Sequence, residues 1–200
     1  MSGPSRRAVF LDKDGTLVDD VPYNVDPDRI RLAQGAAEAL PRLKGMGFRL
    51  IVVSNQSGVA RGMFEEEALG PVMQRLQELT TALGAPLDGF YYCPHHPQGS
   101  VDRYVLACDC RKPAPGMILR AAAEHGVDTA ASWLVGDILD DVEAGRRAGC
   151  RAVLIDNGNE TEWVRSPIRT PDVVAAGLDD AARRIAAAVE ADSQGSGGRS

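Results

Sequence analysis

Five short apolar runs, separated by segments of helical periodicity, restrict this chain more than any other feature. The densest is Phe48-Arg49-Leu50-Ile51-Val52-Val53, a β-branched run of the kind buried on both faces of a sheet. The others are Ala8-Val9-Phe10-Leu11, Asp88-Gly89-Phe90-Tyr91-Tyr92-Cys93, Ser132-Trp133-Leu134-Val135-Gly136-Asp137 and Arg151-Ala152-Val153-Leu154-Ile155. Between and after them the spacing predicts helices over 35–46, 65–83, 116–125, 140–148 and 178–191, with Pro41 kinking the first or marking a late start. Strands that alternate with helices predict an α/β fold built on a doubly wound parallel sheet. In such sheets ligands gather outside the carboxyl ends of the strands. Three runs end there in Asp12, Ser54 and Asp137, so residues distant in sequence are predicted to meet at one edge.

A chain of 200 residues is expected to form one domain, here over 1–191, with a low-complexity tail over 192–200 expected to be disordered. The content of 44% hydrophobic and 25% charged residues is that of a soluble globular protein. A net charge of −6 argues against a general nucleic-acid binder, and no apolar run approaches a membrane span. The basic start leads straight into a strand with an Asp, so it does not read as a signal peptide. A cytoplasmic location is the default, and without an apolar stripe a monomer is expected.

The chemistry starts at Asp12-Lys13-Asp14-Gly15-Thr16. On a strand, Asp12 and Asp14 would point to the same side, and a cation between them would relieve their repulsion; Mg²⁺ prefers such oxygen ligands. The parts needed to cleave a phosphate monoester are present. One of Asp12 and Asp14 attacks phosphorus and the other handles the proton. Ser54 and the following Asn55 suit the phosphoryl oxygens, Lys112 the growing charge, and Asp137 the Mg²⁺ shell. No Gly-Lys-Ser/Thr phosphate loop occurs.

Three of the four cysteines cluster with histidines. Cys93, His95, Cys108 and Cys110 give C-x-H followed by C-x-C, a donor set suited to tetrahedral Zn²⁺ in a closed, structural site. His96 is the rival to His95. The irregular segment 94–115 has little apolar content, so zinc would supply its order and present Arg111 and Lys112. Cys150 reads as a buried small residue and His125 as structural.

These residues carry a resemblance. Asp12-Lys13-Asp14-Gly15-Thr16, Ser54, Lys112, and Gly136-Asp137 with Asp140-Asp141 fall where the four motifs of the haloacid dehalogenase (HAD) superfamily of phosphatases are expected. The stretches Ser54 to Gly62, Tyr92 to Pro97 and Cys108 to Pro113 are similar, more narrowly, to the D,D-heptose 1,7-bisphosphate 7-phosphatase family, related to histidinol-phosphate phosphatases. The resemblance runs from about Val9 to about Asn157. It implies a Rossmann-like HAD fold with a minimal cap, and Mg²⁺-dependent hydrolysis of a small phosphorylated sugar through an aspartyl-phosphate. Asp12 would be the nucleophile and Asp14 the general acid/base, with Mg²⁺ on the Asp12 carboxylate, the Asp14 carbonyl and Asp137. Ser54 and Lys112 would stabilise the phosphoryl group, and Arg111 would bind a distal phosphate. Asp20, Val21, Pro22 and Tyr23, with Ser54, Asn55, Gln56 and Ser57, would touch the substrate. The zinc ligand would be His95. The sugar-specific part departs from the pattern: Ile138 replaces an expected lysine, and Val21-Pro22 a more polar pair. The alternatives are a same-family enzyme on another ester, such as histidinol phosphate, and a zinc-ordered binding module with a vestigial site.

Overall fold

The computed structural model describes residues 6–196. Its strands are β1 (Ala8–Leu11), β2 (Arg49–Asn55), β3 (Gly89–Cys93), β4 (Trp133–Gly136), β5 (Arg151–Ile155) and β6 (Val173–Ala175). They form one sheet in the order β3-β2-β1-β4-β5-β6, every pair parallel. Side chains alternate across it with period two. Val9, Leu11, Leu50, Val52, Trp133, Val135 and Val153 share one face with buried residues of α1 (Ala36–Gly45), α2 (Leu69–Ala82) and α5 (Leu178–Ser196). Ala8, Phe10, Ile51, Val53 and Leu134 take the other, against α3 (Gly116–His125) and Ala144 of α4 (Leu139–Arg147). Helices on both faces explain why the β2 run is apolar without interruption.

The chain winds outward from β1 through β2 to β3, then crosses back to β4 on the other side of β1. The strand order therefore reverses between β1 and β4, where doubly wound sheets open a crevice at their carboxyl edge. The ladder continues past β1: the Asp12 amide donates to the Val135 carbonyl at 2.9 Å.

The sheet has a sixth strand beyond the five runs. β6 is three residues long with Val174 half exposed, too short and too wet on one side to stand out in sequence. Helix α1 continues through Pro41; the buried Ala39, Leu40 and Leu43 offset the cost of about 3 kcal/mol that an interior proline carries. The predicted helix over 65–83 opens as a 3-10 turn, Glu66–Ala68, before α2 begins. Helix α5 runs to Ser196, beyond the 191 expected, so residues 192–196 of the expected tail are helical, while 197–200 lie outside the described residues. Among the described residues no helix is long and apolar enough to cross a membrane.

Candidate active site

Strand β1 stops at Leu11, so Asp12 and Asp14 lie in the turn beyond it and the strand alternation does not govern them. The turn is held by the amides of Leu17 and Val18, both donating to the Lys13 carbonyl at 3.0 Å. Gly15 sits at φ +78°, and a Cβ there would lie 2.2 Å from Asp137 Oδ2, so the turn and the end of β4 meet where no side chain fits. The Asp14 carboxyl is taken by Lys13 Nζ, itself buried, and by Gln56 Nε2 at 3.1 Å. Burial raises the Asp14 pKa, and Lys13 only partly opposes this.

The acids that gather are instead Asp12, Asp137 and Asp141, all buried, with ligand oxygens within 4.8 Å of one another. Lys112 is the cation among them. Its backbone is fixed by Asn55 at the end of β2: the Lys112 amide donates to Asn55 Oδ1 at 3.0 Å, and Asn55 Nδ2 donates to the Lys112 carbonyl at 3.1 Å. Its ammonium donates to the Val53 carbonyl at 2.9 Å and pairs with Asp12 and with Asp141, the latter at 2.6 Å. Burial works against that charge, but Asp12 and Asp141 overcome it and hold the Lys112 pKa above its ordinary value. The other Asp141 oxygen accepts the Ile138 amide at 3.3 Å at the start of α4. Asp137 has no such cation. Burial, and then Asp12, push it up to about 6, opposed by the Asn159 amide, which donates to Oδ2 at 2.6 Å. Thr16 Oγ1 lies 3.4 Å from Oδ1. Three buried carboxylates, two of them paired with the one ammonium, are a donor set for a hard divalent cation.

Beside this cluster a cavity of about 240 Å³ is walled by Lys13, Asp14, the segment 20–24 and the segment 55–58. It joins the predicted Asp20, Val21, Pro22, Tyr23, Asn55, Gln56 and Ser57 to Asp14. Ser54 is buried behind it, its hydroxyl accepting from Gln56 Nε2 at 2.8 Å. Arg111 does not line this cavity; its guanidinium reaches the His95 carbonyl at 3.4 Å.

Cys93, His95, Cys108 and Cys110 come together, with sulfur–sulfur distances of 3.0, 3.3 and 3.6 Å and His95 Nδ1 3.3 Å from Cys110 Sγ. A tetrahedral site with Zn–S bonds near 2.3 Å has edges of roughly 3.8 Å, so the cluster fits zinc. His96 is turned elsewhere, its ring nitrogens near Arg61 and the Gln98 amide. A clamp invisible in sequence lies beside it. Glu66 accepts from Tyr92 at 3.0 Å and from Tyr104 at 2.5 Å, tying the end of β3 and the 94–115 loop to the 3-10 turn that precedes α2. Lys13, Glu66, Asp141 and Asn159 were not expected to take part. Two of them lie inside motifs without an assigned role, Lys13 in the first and Asp141 in the fourth.

A family model described as HAD-hydrolase-like matches residues 109–181. The D-glycero-beta-D-manno-heptose-1,7-bisphosphate 7-phosphatase of Yersinia pestis is 45% identical over 141 residues, covering 70% of this chain and 75% of that protein. The protein of the same name from Escherichia coli K12 is 43% identical over 166 residues, covering 78% and 87%. Among solved structures, a HAD-like phosphatase from Mesorhizobium loti superposes with a TM-score of 0.79 at 33% identity, over 92% of this chain and 87% of that one. The D,D-heptose 1,7-bisphosphate phosphatase of B. bronchiseptica, complexed with magnesium and phosphate, superposes with a TM-score of 0.70 at 29% identity, over 90% and 97%.

Proposed function

The chain belongs to the D-glycero-beta-D-manno-heptose-1,7-bisphosphate 7-phosphatase family of HAD-like hydrolases, and we propose that it removes the 7-phosphate of that heptose bisphosphate through an aspartyl-phosphate. One observation carries the reading. Asp12, Lys112 and Asp137 meet where the strand order reverses, next to a cavity walled by Asp14 and the 20–24 segment.

An Asp12 carboxylate oxygen forms a bond to phosphorus as the bond from phosphorus to the sugar oxygen breaks. Asp14 gives its proton to that oxygen; burial makes the proton easier to keep than on an exposed carboxyl. Asp14, now a carboxylate, takes a proton from water, whose oxygen attacks phosphorus. The bond to Asp12 breaks, inorganic phosphate leaves and Asp12 is restored. Lys112 offsets charge on the phosphoryl oxygens, with Ser54 beside it. Residues Asp20 to Tyr23 and Asn55 to Ser57 seat the sugar, and Arg111 takes the distal phosphate, for which a guanidinium is well matched. Mg²⁺ would be held by the Asp12 and Asp137 carboxylates and the Asp14 carbonyl. When bound it supplies the positive charge that lets an anionic carboxylate approach an anionic phosphate. Zn²⁺ would be held by Cys93, His95, Cys108 and Cys110, in a closed shell that orders the loop.

Phosphate release with Mg²⁺ tests the reading, using both anomers of the heptose bisphosphate and histidinol phosphate. The bisphosphate is expected to react faster, and Asp12→Asn to lose at least roughly 10³-fold in kcat. Faster release from histidinol phosphate would overturn the substrate. No turnover on any of the three would overturn the enzyme.

A further inference from the structure

We infer that Asn159 is a positioning residue that fixes the Asp137 carboxylate and thereby sets the affinity of the site for its divalent cation. The inference rests on the reading that Asp137 is a cation ligand.

Strand β5 ends at Ile155 and is followed by Asp156-Asn157-Gly158-Asn159. The Asn159 amide N–H donates to Asn157 Oδ1 at 3.1 Å, closing a turn around Gly158, which sits at φ +90°. That turn aims two side-chain amides at two parts of the site. Asn157 Nδ2 donates to the Gly15 carbonyl at 2.8 Å, in the turn after β1. Asn159 Nδ2 donates to Asp137 Oδ2 at 2.6 Å, at the end of β4. The pair fills a tight space: a Cβ on residue 15 would come within 2.2 Å of Asp137 Oδ2 and 2.4 Å of Asn159 Nδ2.

Among the described residues no cationic side chain pairs with Asp137, and Thr16 at 3.4 Å is a weak partner. The Asn159 amide is therefore the shortest side-chain bond to a carboxylate that can turn about its Cβ–Cγ bond, and it favours one orientation. It occupies Oδ2, and Oδ1 meets only the longer Thr16 contact among the side chains. A neutral amide also suits the task, because an ammonium in its place would cancel the charge that attracts the cation. Partners of this kind, one bond removed from the metal, are where ligand orientation is set.

The test measures Mn²⁺ binding to the zinc-loaded protein by electron paramagnetic resonance, without substrate, and then the Mg²⁺ concentration for half-maximal phosphate release. Asn159→Ala deletes the amide, and Asn159→Leu deletes it while keeping the volume. Each is expected to weaken Mn²⁺ binding by about 10- to 100-fold and to raise the Mg²⁺ requirement in step. The kcat at saturating Mg²⁺ should stay within about threefold, the split of a residue that acts through the ligand. A folded variant of either kind that binds Mn²⁺ within twofold of the parent would overturn the inference, as would a lost kcat with unchanged Mn²⁺ affinity. A parent protein that binds no Mn²⁺ would instead overturn the reading of Asp137 as a ligand.

Discussion

At the scale of single residues, the Lys112 ammonium pairs with Asp12 and Asp141 and leaves the third buried carboxylate, Asp137, without a cationic partner among the described residues. The pKa of Asp137 is about 6 in the folded chain, against 3.8 for the free side chain. The folded state thus holds that proton more tightly than the unfolded state. The stability this contributes is present below the unfolded value and is lost as pH rises through the folded one. Metal-free Asp137→Asn should therefore be more stable than the parent above about pH 6.5, by up to roughly 3 kcal/mol, with the gap closing toward pH 4. Denaturant unfolding in EDTA across that range checks it; a gap independent of pH would contradict the assignment. Residue identities were readable where spacing joins a polar group to a strand end, as for Asp12, Ser54 and Asp137. Lys13 looks like any surface lysine until its burial is seen, because only the turn after β1 folds it inward. Asn159 sits in an Asn-Gly-Asn stretch that reads as an ordinary turn.

Among the elements, the 94–115 loop has little apolar content with which to order itself. It carries a single 3-10 turn, Asp102–Tyr104, and is pinned by the cysteine cluster and by Glu66. Cys108→Ser is expected to lose zinc, to open the loop to limited proteolysis and to lose most phosphate release, because Arg111 and Lys112 follow directly after the cluster. Cys150→Ala, buried elsewhere against α3, should keep both zinc and activity. Metal analysis beside a proteolysis time course separates the two. This loop was legible because C-x-H and C-x-C have few other uses, whereas the Glu66 clamp joins residues 26 and 38 apart with no spacing rule between them. Strand β6 went unseen for a related reason. It owes its place to β5 and to Ala175 packing near α5, not to an alternation of its own.

For the whole molecule, the sheet order decides where chemistry can occur, and that order was legible only as a class. Alternating strands and helices imply a doubly wound sheet, but which strands neighbour β1 depends on contacts between distant segments. Once β4 lies beside β1, Asp12 and Asp137 are neighbours by register. Cation binding should then feed back on the entire fold. Mg²⁺ at about 100 times its Kd should stabilise the chain by ~2.7 kcal/mol, and Asp137→Asn should abolish most of that gain. Thermal unfolding over a Mg²⁺ titration measures both. The pair of hydrogen bonds between Asn55 and the Lys112 backbone has a consequence for how such a chain can diversify. The backbone of Lys112 is held by β2 as well as by the loop that delivers it. Residues 96–107, between the two pairs of cluster ligands, could then change in length or sequence without displacing the ammonium. New preferences can be grafted onto an unchanged reaction, one cartridge at a time.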